Sequence, residues 1–325
     1  MQNYVETEPH SHKLPVFFMG RWIEKELDDV QTMYTTNLGT QILFKTSQTK
    51  QIELNFIRTL PNGSTNQTLS IDIDHSKSLV ELSNQKLSIS LPDSSNHIVK
   101  ITFAGNTDAD QVWTEQAGLA IESINNTKGT ITAIKPIGKT IAFIGDSITA
   151  GCWVRSKSPS SGYGADINYA ARTAEHFDAI DYRIAYSAAG ILRYGAGGVP
   201  AASRFLNYID IDTLSPAVEA DLVIVNLGTN DRKFDDATFT AFFKQFLNEV
   251  QNKFQGSKIA VLIPFNPAFA NAITSLISND FSNEIHLIKT SHWHVQTTDG
   301  THPNKVGSIH AAHNLITAIK KMNLI

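Results

Sequence analysis

Apolar and polar residues alternate in two different ways along this chain. From residue 14 to about residue 135, short apolar or alternating runs are separated by turn-forming clusters such as residues 74–77 and 92–96. Runs of this length, recurring about every dozen residues without helical periodicity, predict an antiparallel β-sandwich or jelly roll. The predicted strands are residues 30–34, 41–46, 51–57, 69–73, 86–90, 98–103, 119–124 and 130–134.

After residue 135 the pattern changes to a repeated order of strand, loop and helix. The predicted strands are residues 140–144, 184–187, 222–227, 259–263 and 285–289, and the predicted helices are residues 163–177, 238–254 and 305–322. Two of the strands are continuously apolar, which is typical of a parallel sheet covered by helices on both faces. The sequence therefore predicts an α/β fold class, with a doubly wound domain at residues 136–325 after a β-sandwich domain at residues 1–135.

Composition and charge exclude several classes of protein. The 325 residues include 27 Lys and Arg against 31 Asp and Glu, a net charge of −4, so no nucleic-acid or membrane partner is expected. Cys152 is the single cysteine, which excludes an internal disulfide framework and a zinc site of several thiolates. Residues 1–10 lack the pattern of a secretory signal, and no apolar run reaches the roughly 18 residues of a membrane span. We expect a cytoplasmic protein, or a secreted one if a signal was removed.

Three polar motifs follow predicted strands or precede the last helix, where open α/β sheets bind their ligands. Gly145-Asp-Ser147 presents Ser147 as a candidate nucleophile just after a strand, although turn chemistry alone also explains such a motif. Asn230, in a Gly-Thr-Asn-Asp run after the strand at 222–227, is a candidate oxyanion donor or the centre of an Asx turn. We expect Asp146 and Asp231 to accept backbone N–H groups and hold these loops.

The third motif, at residues 299–303, pairs a carboxylate with an imidazole. Asp299 lies three residues before His302, so it can fold back onto Nδ1 and leave Nε2 free to take a proton from a hydroxyl group. By itself the motif is also compatible with a loop that carries a surface histidine. The three motifs in this order are far more specific together than any one of them.

In these blocks the chain resembles the SGNH (GDSL-type) hydrolase family. The resemblance covers roughly residues 138–325 and implies a three-layer α/β/α fold and ester hydrolysis through an acyl-enzyme. It implies Ser147 as nucleophile, His302 as base and Asp299 as its partner. The oxyanion hole would consist of the Ser147 and Gly190 backbone N–H groups and the Asn230 side chain. Gly190 takes the place of the family's remaining block, but that segment lacks the Asn found nearby in the commoner pattern.

A sandwich in front of such a domain is similar to carbohydrate esterase family 2, whose members remove acetyl groups from sugars. The resemblance implies a small acetylated carbohydrate or short-chain ester as substrate, with no cofactor and no metal. Trp153 and Trp293 are candidate substrate-binding residues, and a packed loop aromatic is the alternative for each. Two other functions stay open: a lipase-like enzyme or thioesterase for longer acyl chains, and a non-catalytic carbohydrate-binding protein. The sequence leaves the oligomeric state open.

Overall fold

Two antiparallel sheets face each other in the first part of the computed structural model, which describes residues 2–57, 59–60, 64–107 and 109–325. One sheet has the order β1-β12-β5-β10-β7-β8, with β2 also paired to β5, and the other has the order β3-β4-β11-β6-β9. Their strands are β1 (Tyr4–Glu6), β2 (Phe17–Met19), β3 (Ile23–Leu27), β4 (Val30–Thr35), β5 (Gln41–Ser47), β6 (Gln51–Ile57), β7 (Gln67–Ile73), β8 (Ser76–Leu82), β9 (Lys86–Ser90), β10 (His97–Gly105), β11 (Leu119–Asn126) and β12 (Thr130–Pro136).

A five-stranded parallel sheet with the order β14-β13-β15-β16-β17 forms the second part. Its strands are β13 (Thr140–Gly145), β14 (Ile180–Ala185), β15 (Leu222–Asn226), β16 (Lys258–Leu262) and β17 (Ile285–Ile288). The helices are α1 (Ser147–Ala150), α2 (Tyr169–His176), α3 (Ala202–Asn207), α4 (Asp236–Lys253), α5 (Ala270–Asp280) and α6 (Lys305–Lys321). The predicted fold class, a sandwich followed by an α/β domain, is confirmed.

The parallel sheet is buried on both faces because successive side chains of its strands enter different cores. In β13, Ile141 and Phe143 pack with α2 and α6, whereas Ala142 and Ile144 pack with α3, α4 and α5. Side chains alternate between the two faces of a strand, so a run in which every residue is apolar is what a covered sheet requires. This explains the continuous apolar runs found in the sequence.

The sandwich and the sheet join without a long linker. β12 ends at Pro136 and β13 begins at Thr140, so the boundary predicted between residues 135 and 136 lies within the last two residues of β12; it stays a prediction. The sandwich core includes Ala150, Cys152 and Ala185 from the second half of the chain. The sandwich therefore packs directly against the segments that follow β13 and end β14.

All eight predicted sandwich strands are present, but four strands of that region were not predicted. They are β1, β2, β3 and β8. β8 is an edge strand whose first four residues are exposed, so it lacks the alternation that burial of one face imposes. Asp74 and His75, both with positive φ, form the two-residue turn between β7 and β8.

Two predicted elements of the second half were wrong in extent. The helix predicted at 163–177 begins only at Tyr169, because the Asn168 side chain caps it by accepting from the Ala171 N–H. The strand predicted at 184–187 is β14, four residues earlier. Its pattern was hidden by Asp181 and Arg183, which are both buried and bound to each other, with Arg183 Nε 3.0 Å from Asp181 Oδ1.

The helices α1, α3 and α5 were not predicted. In the described part of the chain, no helix is both long and apolar enough to span a membrane.

Candidate active site

The predicted nucleophile lies at the turn from β13 into α1. Asp146 precedes the helix and its Oδ1 accepts the Ile148 N–H at 2.9 Å, which confirms the expected role of this carboxylate in holding the loop. A side chain on Gly145 would lie 2.0 Å from Thr149 Oγ1, so the close approach of strand and helix requires glycine there. Ser147 is thus the first residue of a helix that starts directly after a buried strand.

Ser147, His302 and Asp299 form a continuous chain of hydrogen bonds. The distance between His302 Nε2 and Ser147 Oγ is 2.9 Å, and that between His302 Nδ1 and Asp299 Oδ2 is also 2.9 Å. A carboxylate can only accept, so Nδ1 carries the proton and Nε2 is the free acceptor for the serine hydroxyl. The geometry can therefore pass the serine proton to the imidazole.

Asp299 is held as a carboxylate by the loop that carries it. Its Oδ1 accepts the N–H groups of His302 at 2.8 Å and Thr301 at 3.1 Å. Burial alone raises the pKa of Asp299, but the hydrogen bonds from the His302 backbone and ring and from Thr301 outweigh burial and hold that pKa below its usual value. The charge needed to orient the imidazole is thus present at neutral pH.

Two of the three predicted oxyanion donors, Gly190 and Asn230, follow the further strands β14 and β15, and both already bind protein atoms. The Gly190 N–H donates to the Arg193 carbonyl at 2.9 Å. Asn230 Nδ2 donates to the Ala189 carbonyl at 2.9 Å and lies 3.4 Å from Asp146 Oδ2. The second Asn230 hydrogen is the more weakly held, since that contact is long. The Ser147 N–H begins a helix and has no carbonyl partner within it.

Asp231 fixes the loop that contains Gly190. Its carboxylate accepts the N–H groups of Ile191, Leu192 and Arg193 at 2.9–3.0 Å, as expected for a loop-holding acceptor. A side chain on Gly190 would lie 2.4 Å from the Asp231 carboxylate oxygens, so glycine is required for this contact. The role of Gly190 as an oxyanion donor stays a prediction, because a substrate oxygen would have to replace the Arg193 carbonyl.

The two candidate substrate-binding tryptophans lie in different surroundings. The Trp153 ring meets the His302 ring edge-on, with centroids 4.9 Å apart, and the Trp153 carbonyl accepts from Thr298 Oγ1 at 2.7 Å. Trp293 is only 8% exposed and packs in the core against Phe265, with ring centroids 5.8 Å apart. The structure therefore brings Trp153, but not the Trp293 ring, into contact with the imidazole; sugar binding by either stays a prediction.

Burial affects the titration of Asp146. Burial raises the pKa of Asp146 to about 7, and the neighbouring Asp231 charge adds to the rise against the hydrogen bond from the Ile148 N–H. In the unfolded chain Asp146 ionises near 3.8, so between that value and about 7 the folded protein binds more protons. The stability contribution of this group is complete below pH 3.8 and is lost as the pH rises through about 7.

We therefore expect Asp146→Asn to reduce the pH dependence of stability. Between pH 5 and 7 the free energy of unfolding of the wild type should fall relative to that of the variant by about 2 to 3 kcal/mol, at about 1.4 kcal/mol per pH unit. Urea unfolding followed by fluorescence at pH 5, 6, 7 and 8 measures this difference. Parallel curves for the two proteins across that range would show that Asp146 is ionised throughout.

Residues 143–286 match the family model described as GDSL-like Lipase/Acylhydrolase family. The resemblance to GDSL-type hydrolases is confirmed. Cellulase/esterase CelE of Acetivibrio thermocellus is 31% identical over 142 residues, which are 40% of this chain and 17% of CelE. The chain therefore spans less than a fifth of the length of that relative.

Solved structures support the two-domain arrangement of the chain. One similar structure is that of a family two carbohydrate esterase from Clostridium thermocellum in complex with cellohexaose, with a TM-score of 0.78 and 17% sequence identity. The match covers 95% of this chain and 99% of the esterase chain. An acetyl xylan esterase from Butyrivibrio proteoclasticus has a TM-score of 0.75 at 14% identity, with 99% and 100% covered. At such identities the likeness concerns the fold.

In the described ranges, no group of three His, Cys, Asp or Glu side chains is arranged to hold a metal ion. The side chains gathered around Ser147 are those of acid–base and nucleophilic chemistry.

Proposed function

We propose that this chain is a serine esterase that hydrolyses short acyl esters, above all O-acetyl groups on carbohydrates. The observation that carries the proposal is the chain from Ser147 Oγ through the His302 ring to Asp299, with both distances at 2.9 Å. Serine hydroxyls become nucleophilic when an oriented base within hydrogen-bond reach takes their proton. This geometry needs no change of backbone before a substrate binds.

The reaction proceeds in two balanced steps. Ser147 Oγ attacks the ester carbon while His302 Nε2 takes the hydroxyl proton, and the resulting oxyanion accepts the Ser147 N–H and an Asn230 hydrogen. The carbon–alkoxy bond breaks, and the alcohol leaves with the proton from His302. Water then attacks the acyl carbon and gives a proton to His302 Nε2. The bond between that carbon and Ser147 Oγ breaks, His302 returns the proton to Oγ, and the acid leaves.

The carbohydrate part of the proposal is supported by the relatives and by one side chain. The relatives described above include a cellulase/esterase, a carbohydrate esterase bound to cellohexaose and an acetyl xylan esterase. Trp153 is half-buried beside the catalytic imidazole, and aromatic rings supply the flat apolar surface on which ligands stack in such sites. An alcohol portion bound there would lie next to the group that must protonate it.

The test compares p-nitrophenyl acetate with the butyrate and octanoate esters, using Ser147→Ala as the blank. We expect kcat/KM to fall as the acyl chain lengthens and the blank to show only background hydrolysis. Release of acetate from acetylated mono- and disaccharides, followed by coupled assay, then tests the sugar. Faster turnover of octanoate would identify the lipase-like alternative. Sugar binding without ester turnover would identify the non-catalytic one.

A further inference from the structure

The loop that carries Gly190 leaves the edge strand β14 where the sandwich covers it. Ala185 is the last residue of β14, and its carbonyl accepts from Asn37 Nδ2 at 3.2 Å. Asn37 lies between β4 and β5 of the sandwich and is fully buried. The backbone at the start of this loop is therefore held by a side chain of the other half of the chain.

The next residue, Tyr186, is fixed by the same segment. Its hydroxyl lies 2.8 Å from Thr36 Oγ1, 3.3 Å from Asn37 Oδ1 and 3.4 Å from Arg21 Nη1. Thr36 Oγ1 also lies 2.6 Å from the Ile209 carbonyl, to which it donates. The single Thr36 hydroxyl hydrogen goes to Ile209, so the Tyr186 hydroxyl donates its own hydrogen to Thr36 Oγ1 and accepts from Arg21 Nη1. Loss of that short bond in the interior is costly.

Arg21 holds the far side of the loop through helix α3. Its Nη2 donates to the carbonyls of Phe205, Leu206 and Tyr208 at 2.8–3.1 Å. These carbonyls lie at the C-terminal end of α3, where a positive charge stabilises the helix. At the other end of α3, the Ala202 N–H donates to the Gly190 carbonyl at 3.0 Å. Arg21 thus supports the helix that holds the Gly190 peptide.

We propose that Arg21, Thr36 and Asn37 of the sandwich are positioning residues for the oxyanion site. The inference rests on the proposed function, since it concerns the step in which the oxyanion forms. Tyr186 begins the segment that presents both Gly190 and the Ala189 carbonyl, which holds the Asn230 amide. A shift of Tyr186 therefore moves the Asn230 amide, an oxyanion donor of the proposed reaction, together with Gly190, the predicted donor.

Such donors act only at 2.7–3.1 Å from the developing oxyanion, and a misplacement of about 1 Å can cost about a hundredfold in rate. The sandwich is then part of the catalytic apparatus through these contacts.

Thr36→Val is the direct test, because it keeps the shape of the side chain and removes only its hydroxyl. We expect kcat for p-nitrophenyl acetate to fall about tenfold or more while KM stays within about threefold of the wild-type value. The reason is that the hydrogen bonds to the oxyanion form only in the transition state. Thr36→Ser keeps the hydroxyl and should restore kcat. These comparisons use the full chain, with folding checked by thermal unfolding.

Lys100→Met is the matched control, because it removes a contact between the two halves of the chain that does not involve the Gly190 loop. Lys100 is buried and its Nζ lies 2.6 Å from Glu175 Oε1 on α2, away from the Gly190 loop. We expect this variant to lower Tm and to keep wild-type kcat. A fall of kcat in Lys100→Met as large as in Thr36→Val would overturn the specific link to the oxyanion loop.

A thionoester substrate gives a readout that a purely structural role leaves unchanged. Sulfur accepts hydrogen bonds poorly, so the ratio of kcat/KM for p-nitrophenyl acetate to that for its thiono analogue reports the donors around the oxyanion. We expect this ratio to fall several-fold in Thr36→Val and to stay at the wild-type value in Thr36→Ser and Lys100→Met. A Thr36→Val variant with a lower Tm but unchanged kcat and ratio would overturn the inference. If the Ser147→Ala variant kept the turnover of the wild type, the proposed function would be overturned, and the inference with it.

Discussion

Ser147→Ala is expected to lower kcat for p-nitrophenyl acetate by about 10⁴- to 10⁶-fold, to the level that binding and the remaining donors alone sustain. The substitution removes the atom that lies 2.9 Å from His302 Nε2 and leaves a methyl group without nucleophilic character. The buried backbone around residue 147 is kept, so the fold and Tm should change little. Burst kinetics and intact mass after acetate turnover measure the loss of the acetyl-enzyme.

The double variant Ser147→Ala/His302→Ala sharpens this expectation. Residues that act as a unit lose their effect together, so the second substitution should add little to the first. A further fall of a hundredfold or more would mean that His302 serves a water-mediated reaction independent of Ser147. Retention of wild-type turnover in Ser147→Ala would assign hydrolysis to another group.

The sequence predicts best those strands whose two faces are both buried against apolar side chains. β15 and β16 are covered on both faces, and their uninterrupted apolar runs indicate this directly. β14 is different, because an edge strand that faces the sandwich buries Asp181 and Arg183 as a pair. Such a pair is visible only once the partner surface is known, which is why the strand was predicted four residues too late.

In the candidate site, too, the sequence predicts what local motifs contain and misses contacts between distant segments. Ser147, His302 and Asp299 follow from local motifs, and the structure brings them together. The hydrogen bond from Asn230 to the Ala189 carbonyl joins two loops that are 41 residues apart, and no local pattern signals it. The bond from the Gly190 N–H to the Arg193 carbonyl lies within one loop that belongs to no helix or strand. The signal for Arg21 was equally slight, because it is a lone cation before a strand and three of its acceptors are carbonyls 184 to 187 residues away.

Asp299→Asn is expected to lower kcat by about 10³- to 10⁴-fold while leaving KM nearly unchanged. The N–H groups of Thr301 and His302 both donate to Asp299 Oδ1, so an asparagine there must keep its oxygen at that position. Its Nδ2 then takes the place of Oδ2 and donates to His302 Nδ1. The imidazole proton moves to Nε2, which can no longer accept from Ser147.

Asp235→Asn is the matched control, because Asp235 Oδ1 also accepts the N–H three residues ahead, that of Thr238, but contacts no imidazole. It should leave kcat at the wild-type value. If Asp299→Asn likewise kept kcat within about threefold, the Ser147–His302 pair would act as a dyad and Asp299 would serve only the turn. A loss confined to Asp299→Asn would instead mean that the tautomer of His302, and not the shape of its loop, limits the reaction.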